Sequence, residues 1–501
     1  MKRSVVIGAG PNGLVAAIRM AEAGRPVIVL EAAERPGGAV RTEPLTLPGF
    51  HHDTFSSVYP AGAASPVFAS MPLERYGLRW IHPEACYAHP LPGGRAVALY
   101  RDVERTAASL DSVQSGDGAR WRAFVEPMVE EFEAIRAAML AAFPPLAGAW
   151  HVLTALGPVG AARFGLLVPA SARALGTRLF AGSGSRAWLY GSAAHGDVPP
   201  AAPGSAIAAM YLNLMGHAVG WPSPEGGAQR LTDALVAHLD ELGGEIRTSA
   251  SVERVQASRG RVTGVEIASG ERLEADTVIA DVMPHALLAL AGEALPTAYA
   301  ALLRRYRYGP ATLKVDWALD GPIAWEAPEP RSAGTVHLSG DEDELLDTIT
   351  QTQDRLPSRP FMLVGQQSLA DPTRAPEGKH TAWAYTRGPQ IGVSWPQEID
   401  RHIERMEAQV ERFAPGFRDR ILARHVMSPA ELERRNPNLV GGDVGGGSYR
   451  LRQLIFRPIP GLSPYRTPLS GLYLASAATF PGGAVHGVPG DAAARVALAH
   501  S

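Results

Sequence analysis

Residues 4–31 read SVVIGAGPNGLVAAIRMAEAGRPVIVLE, and this stretch decides the fold. Val5-Val6-Ile7 is a β-branched run of the kind that forms a buried parallel strand. It leads straight into Gly8-Ala9-Gly10-Pro11-Asn12-Gly13 and then into a helical stretch reaching Ala23. The spacing is G-x-G-x-x-G. The first glycine permits a tight turn, the second lets a pyrophosphate approach the backbone, and the third lets helix and strand pack closely. The helix N-terminus offers free N–H groups and the positive end of its dipole to phosphate oxygens. A second strand, Arg25 to Leu30, ends at Glu31, eighteen residues past Gly13. A carboxylate there accepts both hydroxyls of a ribose and disfavours a 2′-phosphate, hence NADP.

The residues after Glu31 separate FAD from NAD. Ala32 adjoins Glu31, and the run continues to a second glycine pair, Gly37-Gly38, followed by Arg41-Thr42. These bring further backbone donors and a fixed charge to a second part of the pyrophosphate, which a nicotinamide enzyme does not need. E-x5-G-G-x-x-R-T after a Rossmann fingerprint resembles the FAD-binding front end shared by phytoene desaturases and flavin amine oxidases. The resemblance continues through Gly49-Phe50-His51-His52-Asp53, and it implies that Phe55 to Ser57, with Ser56 and Ser57 as contacts, pass near a flavin ring. His51, His52 and Asp53 are expected in a strand-and-loop segment, and no metal site is expected.

At 501 residues the chain exceeds one ordinary core, so two domains are expected, with interleaved segments as one way to build them. The net charge of -3 argues against a nucleic-acid partner, which would meet a basic face. Cys86 is the sole cysteine; it excludes an intrachain disulfide and fits a reducing cytosol. The opening MKRSVVIGAG reads as a nucleotide-binding strand rather than a leader, because Pro11, Asn12 and Arg19 interrupt its apolar run.

From Leu73 to Gly220 helical periodicity takes over. Phe124, Met128, Phe132, Ile135 and Met139 form one apolar face, expected in the core. Residues 151–180 are richly apolar but broken by Gly157, Pro158, Gly160, Arg163 and Pro169. They fall short of the ~18 uninterrupted residues of a membrane span, leaving a buried helical cap or peripheral membrane contact. A helix after Gly226-Gly227, a strand at Glu245 to Arg247, a meander from Ser251 to Leu273 and a strand at Asp276 to Asp281 return the chain to the nucleotide sheet. The resemblance implies that Val252 meets the adenine through its backbone.

Residues 291–440 read as a substrate domain. Alternation in Thr312 to Leu319 places Lys314 and Asp316 opposite Leu313, Val315 and Trp317. The pair is expected as a solvated charged face; the alternative is a lysine beside a flavin. Trp383, Tyr385 and Arg387 share a face that fits a substrate slot or sheet packing equally. Gly441 to Gly447 is expected to be a flexible loop.

Gly471 to Ser476 forms a last strand, and Phe480-Pro481-Gly482-Gly483 leads into a terminal helix. A second helix N-terminus thus points into the crevice, suited to the negative charge of a reduced flavin. This end resembles the C-terminal FAD motif of phytoene-dehydrogenase-like oxidoreductases, which implies contacts from Ser476, Gly483, Gly487 and Val488. Ala477 stands where many relatives carry an acidic residue for the ribitol, and Ser476 replaces a common glycine.

The expected architecture is α/β: a Rossmann-type FAD-binding domain built from discontinuous segments (1–72, 221–290 and 441–501), an α+β substrate domain (291–440) and a helical cap (73–220). The expected activity is an FAD-dependent dehydrogenase or desaturase taking hydride from a hydrophobic polyene or lipid-like substrate. Electrons would pass to oxygen, a quinone or another acceptor, in a cytoplasmic or membrane-associated protein. An amine oxidase, an isomerase or cyclase using reduced flavin, and a non-catalytic flavin-binding partner are the alternatives. His486, inside the flavin-facing loop, and His195 are the candidate catalytic groups, since imidazole exchanges protons near neutral pH.

Overall fold

Five parallel strands form the nucleotide sheet in the computed structural model, which describes residues 3–500. Their order is Leu472–Leu474, Thr277–Ala280, Ser4–Ile7, Val27–Leu30 and Glu245–Arg247. Three stretches far apart in sequence therefore build one sheet, as the strand pattern predicts. The two faces of the strands bury different partners, as period-2 alternation requires. Val6 and Val29 join the core beneath the helices Pro11–Glu22, Gln229–Glu241 and Val488–Ala499. Val5, Ile7, Ile28 and Leu30 join a second core with the meander Val252–Ser258, Arg261–Ile267 and Arg272–Glu274.

The substrate domain is a seven-stranded sheet in the order Ile421–Met427, Ala311–Leu319, His380–Gly388, Met362–Gly365, Ala333–Leu338, Ala85–Leu91 and Arg95–Leu99. It is antiparallel except where Ala333–Leu338 runs parallel to Ala85–Leu91. The last two strands come from the 73–220 segment, which helical periodicity alone did not reveal. One face packs on the helix Trp395–Phe413, with Leu313, Val315 and Trp317 against Ile403, Met406 and Val410. The other face turns toward the nucleotide domain and the helical cap. In the cap, the stripe from Phe124 to Met139 faces the core as expected.

Candidate functional site

The glycine turn sits between the strands Ser4–Ile7 and Thr277–Ala280, where connections leave the sheet in opposite directions. Such a point is where an open α/β sheet binds its ligand. A Cβ on Gly13 would lie 2.0 Å from the carbonyl oxygen of Gly8, so only glycine closes this turn. Pro11 and Asn12 open the helix Pro11–Glu22, and no side chain caps its first turn from Gly10. Two carboxylates close on the turn instead. Asp281 Oδ2 accepts the Gly13 N–H at 3.0 Å, and Glu31 Oε2 accepts the Ala9 N–H at 2.7 Å. Glu31 Oε1 accepts from Ala33 N at 2.9 Å, past the exposed Ala32, and a carboxylate has lone pairs left for ribose hydroxyls. Ala250 N–H donates to the Glu31 carbonyl at 2.8 Å, which carries Val252 toward the same end of the crevice.

The segment Gly37 to Ser57 is tied to this turn. Gly37 N–H donates to Ala9 O at 2.9 Å, and a Cβ on Gly38 would meet the Gly10 Cα at 3.0 Å. Thr42 Oγ1 donates to Asp53 at 2.7 Å, and Ser56 Oγ donates to Ala39 O at 2.7 Å. Two buried donors here have no hydrogen-bond partner in the protein, Arg41 Nε and Ser57 Oγ, and the acceptor Asp53 Oδ2 has none either. Orphaned buried donors cost stability unless something else meets them.

The C-terminal loop arrives from the opposite side. Ser476 Oγ, buried, accepts from Ala478 N at 3.3 Å. Gly487 adopts φ 71° at the start of the helix Val488–Ala499. His486 Nδ1 accepts the Val488 N–H at 3.2 Å, so the imidazole caps this helix. Burial holds its pKa down at about 4, so it is neutral at physiological pH. Gly483 lies against Gly445, whose carbonyl oxygen a Cβ would meet at 2.2 Å.

That contact corrects the expectation of a flexible loop at Gly441 to Gly447. Asp443 is buried and accepts N–H groups from Gly309, Gly445 and Gly447 at 2.7–2.8 Å. An aspartate between glycine pairs can bond the backbone two residues on, and this signal was legible in the sequence. Beside the loop lies Arg457, 1% exposed, which sequence reading missed. It donates to Tyr306 at 2.9 Å and to Gly446 O at 2.5 Å and stacks over Tyr449, but its Nε and Nη1 have no partner.

A partly open cleft lies between the cap and the substrate sheet, lined chiefly by Val198, Ile349, Phe361, Leu363, Tyr385 and Arg387. It shares Gly196, Asp197, Pro310 and Arg387 with a smaller lobe bordered by His195, Gly445 and Gly447. The lobe therefore reaches the loop that rests on Gly483. Tyr385 and Arg387 face the cleft, while Trp383 stacks on Tyr385 and bonds Gln367. His195 Nε2 lies 2.7 Å from His337 Nε2, so one ring donates and the other accepts. Burial, aided by Arg387, pushes the His195 pKa down to about 3.

Lys314 and Asp316 are not solvated: they are 3% and 0% exposed. Alternation puts the pair on the face it occupies, but the strand His52–Asp53 covers that face. Lys314 Nζ donates to Asp316 at 2.5 Å and to the Asp53 carbonyl at 3.0 Å, one residue before Thr54-Phe55. Arg374 pairs with Asp53 at 2.7 Å.

The family profile described as flavin containing amine oxidoreductase matches residues 12–423. The chain belongs to this family. Among curated relatives, the pyridine nucleotide-disulfide oxidoreductase domain-containing protein 2 of Rattus norvegicus is 29% identical over 98% of this chain and 92% of its own length. The neurosporene-forming phytoene desaturase of Rhodobacter capsulatus is 25% identical over the same shares. An oxidoreductase structure from Methanosarcina mazei has a TM-score of 0.65 at 19% identity, covering all of both chains. As a flavin amine oxidoreductase relative of the phytoene desaturase kind, the chain uses FAD. The fit is good: glycine turn, Glu31 and the orphaned Arg41, Ser57 and Arg457 atoms offer what a dinucleotide and an electron-rich ring require.

Proposed function

We propose that this chain is an FAD-dependent dehydrogenase or desaturase that removes hydride from a hydrophobic, polyene or lipid-like substrate. The observation that carries this reading is the apolar cleft whose inner lobe ends at Gly445 and Gly447, against Gly483 of the cofactor loop. Bound FAD supplies the hydride acceptor. The protein's part is to bind, orient and exclude water. Ile349, Phe361 and Leu363 would hold the chain of the substrate, and the cap would keep the reacting end dry. His195 and His486 would act as neutral hydrogen-bonding groups, His195 at Nε2 toward His337 and His486 as a loop anchor.

Anaerobic mixing of the FAD-loaded protein with a set of apolar alkenes, alcohols and amines tests the proposal. Bleaching of the flavin by an apolar alkene or alcohol is the expected result. Bleaching by amines alone, or product formation that needs pre-reduced flavin and consumes no electrons, would overturn it.

A further inference from the structure

Three histidines distant in sequence stand in a row behind the cleft. His195 borders the inner lobe, and its Nδ1 has no hydrogen-bond partner among the described residues. Its Nε2 lies 2.7 Å from Nε2 of His337, which is fully buried on the strand Ala333–Leu338. That strand runs parallel to Ala85–Leu91, with Thr335 beside Tyr87 and Val336 beside Ala88, so the next step sets His337 beside His89. His337 stacks on Tyr87 at 4.1 Å between ring centres, and residues two apart on a strand share a face, so His89 lies on the side that His337 occupies. Ser192 and Asn213 each hold the Tyr87 hydroxyl at 2.7 Å, which fixes the ring on which His337 rests.

Hydrogen bonds give the row a direction. His89 Nε2 lies 2.9 Å from the Gly340 carbonyl, which only accepts, so Nε2 carries the proton and Nδ1 keeps a lone pair. Both His89 Nδ1 and His337 Nδ1 are buried without a partner in the protein. Neighbouring strands lie about 4.8 Å apart, so one water between these two atoms would bond both. With His337 donating from Nδ1, its Nε2 accepts from His195 Nε2, and His195 is left with a bare lone pair on Nδ1 at the lobe. Arg387 favours that arrangement, because a cation beside the lobe prefers a lone pair to an N–H.

We propose that His195 is the base that takes the substrate's proton, and that His337 and His89 are the positioning residues that set its tautomer. The inference rests on the dehydrogenase reading above. Dehydrogenation removes two hydrogens: one leaves carbon as hydride to bound FAD, and its neighbour, on carbon or on a hydroxyl oxygen, leaves as a proton to His195 Nδ1. The electron pair left behind forms the new π bond. Burial, aided by Arg387, makes His195 a weak base, neutral at rest. A weak base suffices, since a hydrogen next to a carbon losing hydride is strongly acidic, and it gives the proton up to water once product leaves.

Two measurements on the FAD-loaded full chain test this. In the first, ¹⁵N-histidine NMR near neutral pH reads the tautomers, with signals assigned by single histidine variants. His195 and His89 are expected as Nε2–H and His337 as Nδ1–H; a parent His195 protonated at Nδ1 overturns the proposal without any substrate. The second is anaerobic flavin bleaching by a polyene, phytoene, and an allylic alcohol, geraniol. His195→Gln and His337→Phe should each slow it roughly tenfold or more with the resting flavin spectrum unchanged, and His337→Gln, whose amide oxygen can accept from His195, should recover part of the rate. Bleaching at the parental rate in His337→Phe overturns the proposal alone. A parent that neither probe bleaches overturns the dehydrogenase reading, and the role of His195 as base with it.

Discussion

The carboxylate of Asp281 accepts the amide proton of Gly13 at 3.0 Å, joining residues 268 positions apart at the mouth of the nucleotide crevice. Burial raises the Asp281 pKa to about 7; the Gly13 N–H opposes the shift and the Glu31 charge adds to it. A raised carboxyl pKa means that the folded state holds a proton the unfolded state has released, so this residue's contribution to stability falls as pH rises from about 4 to about 7. Above that window an anionic side chain adjoins the turn that receives a pyrophosphate. Asp281→Asn should therefore tighten FAD binding roughly tenfold at alkaline pH, with the advantage shrinking in mild acid. Fluorescence titration of apoprotein with FAD on both sides of neutrality checks this; equal affinities in parent and variant would refute it.

Arg457 carries a buried charge with two unpartnered donors beside Gly482 and Gly446. A fixed cation near the cofactor loop favours the reduced, electron-rich flavin over the oxidised form. Arg457→Met should lower the midpoint potential by about 30–60 mV, the equivalent of losing one charged hydrogen bond, and Arg457→Lys should recover part of it. Spectroelectrochemical titration reads the shift directly.

Lys314→Met should be costly because it leaves Asp316 buried without its closest cation. Burial already holds the Asp316 pKa at about 6 despite the lysine. Breaking such a pair costs about 3–5 kcal/mol, whereas Lys314→Met together with Asp316→Leu should cost less than the single change. Urea unfolding followed by tryptophan fluorescence distinguishes the two; a larger loss in the double variant would contradict the reading.

Buried histidines make the chain acid-labile. Burial lowers the pKa of His52 and His195 to about 3 and those of His89, His217, His402 and His486 to about 4. The unfolded state therefore binds more protons below about pH 6.5, and stability present above that pH is lost as pH falls toward 4, at about 1.4 kcal/mol per pH unit for each group. Asp281 and Asp316 act in the opposite sense but are fewer. Thermal midpoints recorded from pH 7 to pH 4 should fall continuously, and a flat profile would exclude the mechanism.

Much of the nucleotide domain was legible because glycine spacing, β-branched runs and helix punctuation are local signals. Ser4–Ile7, Pro11–Glu22, Glu245–Arg247 and Leu472–Leu474 lie where periodicity places them, within a residue or two. What escaped was whatever depended on burial by a distant segment. The alternation of Lys314 and Asp316 was correct, yet no local pattern shows that His52–Asp53 lies across them. Arg457 gives no signal in a sequence rich in arginine, and Asp281 looked like the end of a strand. His337 was invisible as a partner of His195 because the strand Ala333–Leu338 meets the cap only in three dimensions.

The strand Leu472–Leu474 hydrogen-bonds alongside Val278–Ala280, and the helix Val488–Ala499 packs so tightly on Pro11–Glu22 that a Cβ on Gly490 would lie 2.0 Å from Asn12 O. A ribosome working at ordinary speed makes the first of these partners tens of seconds before the last. Throughout that interval the nascent chain carries an unfinished sheet edge and a bare apolar helix. Loading of the dinucleotide must then be a late event in the protein's life, following synthesis rather than accompanying it.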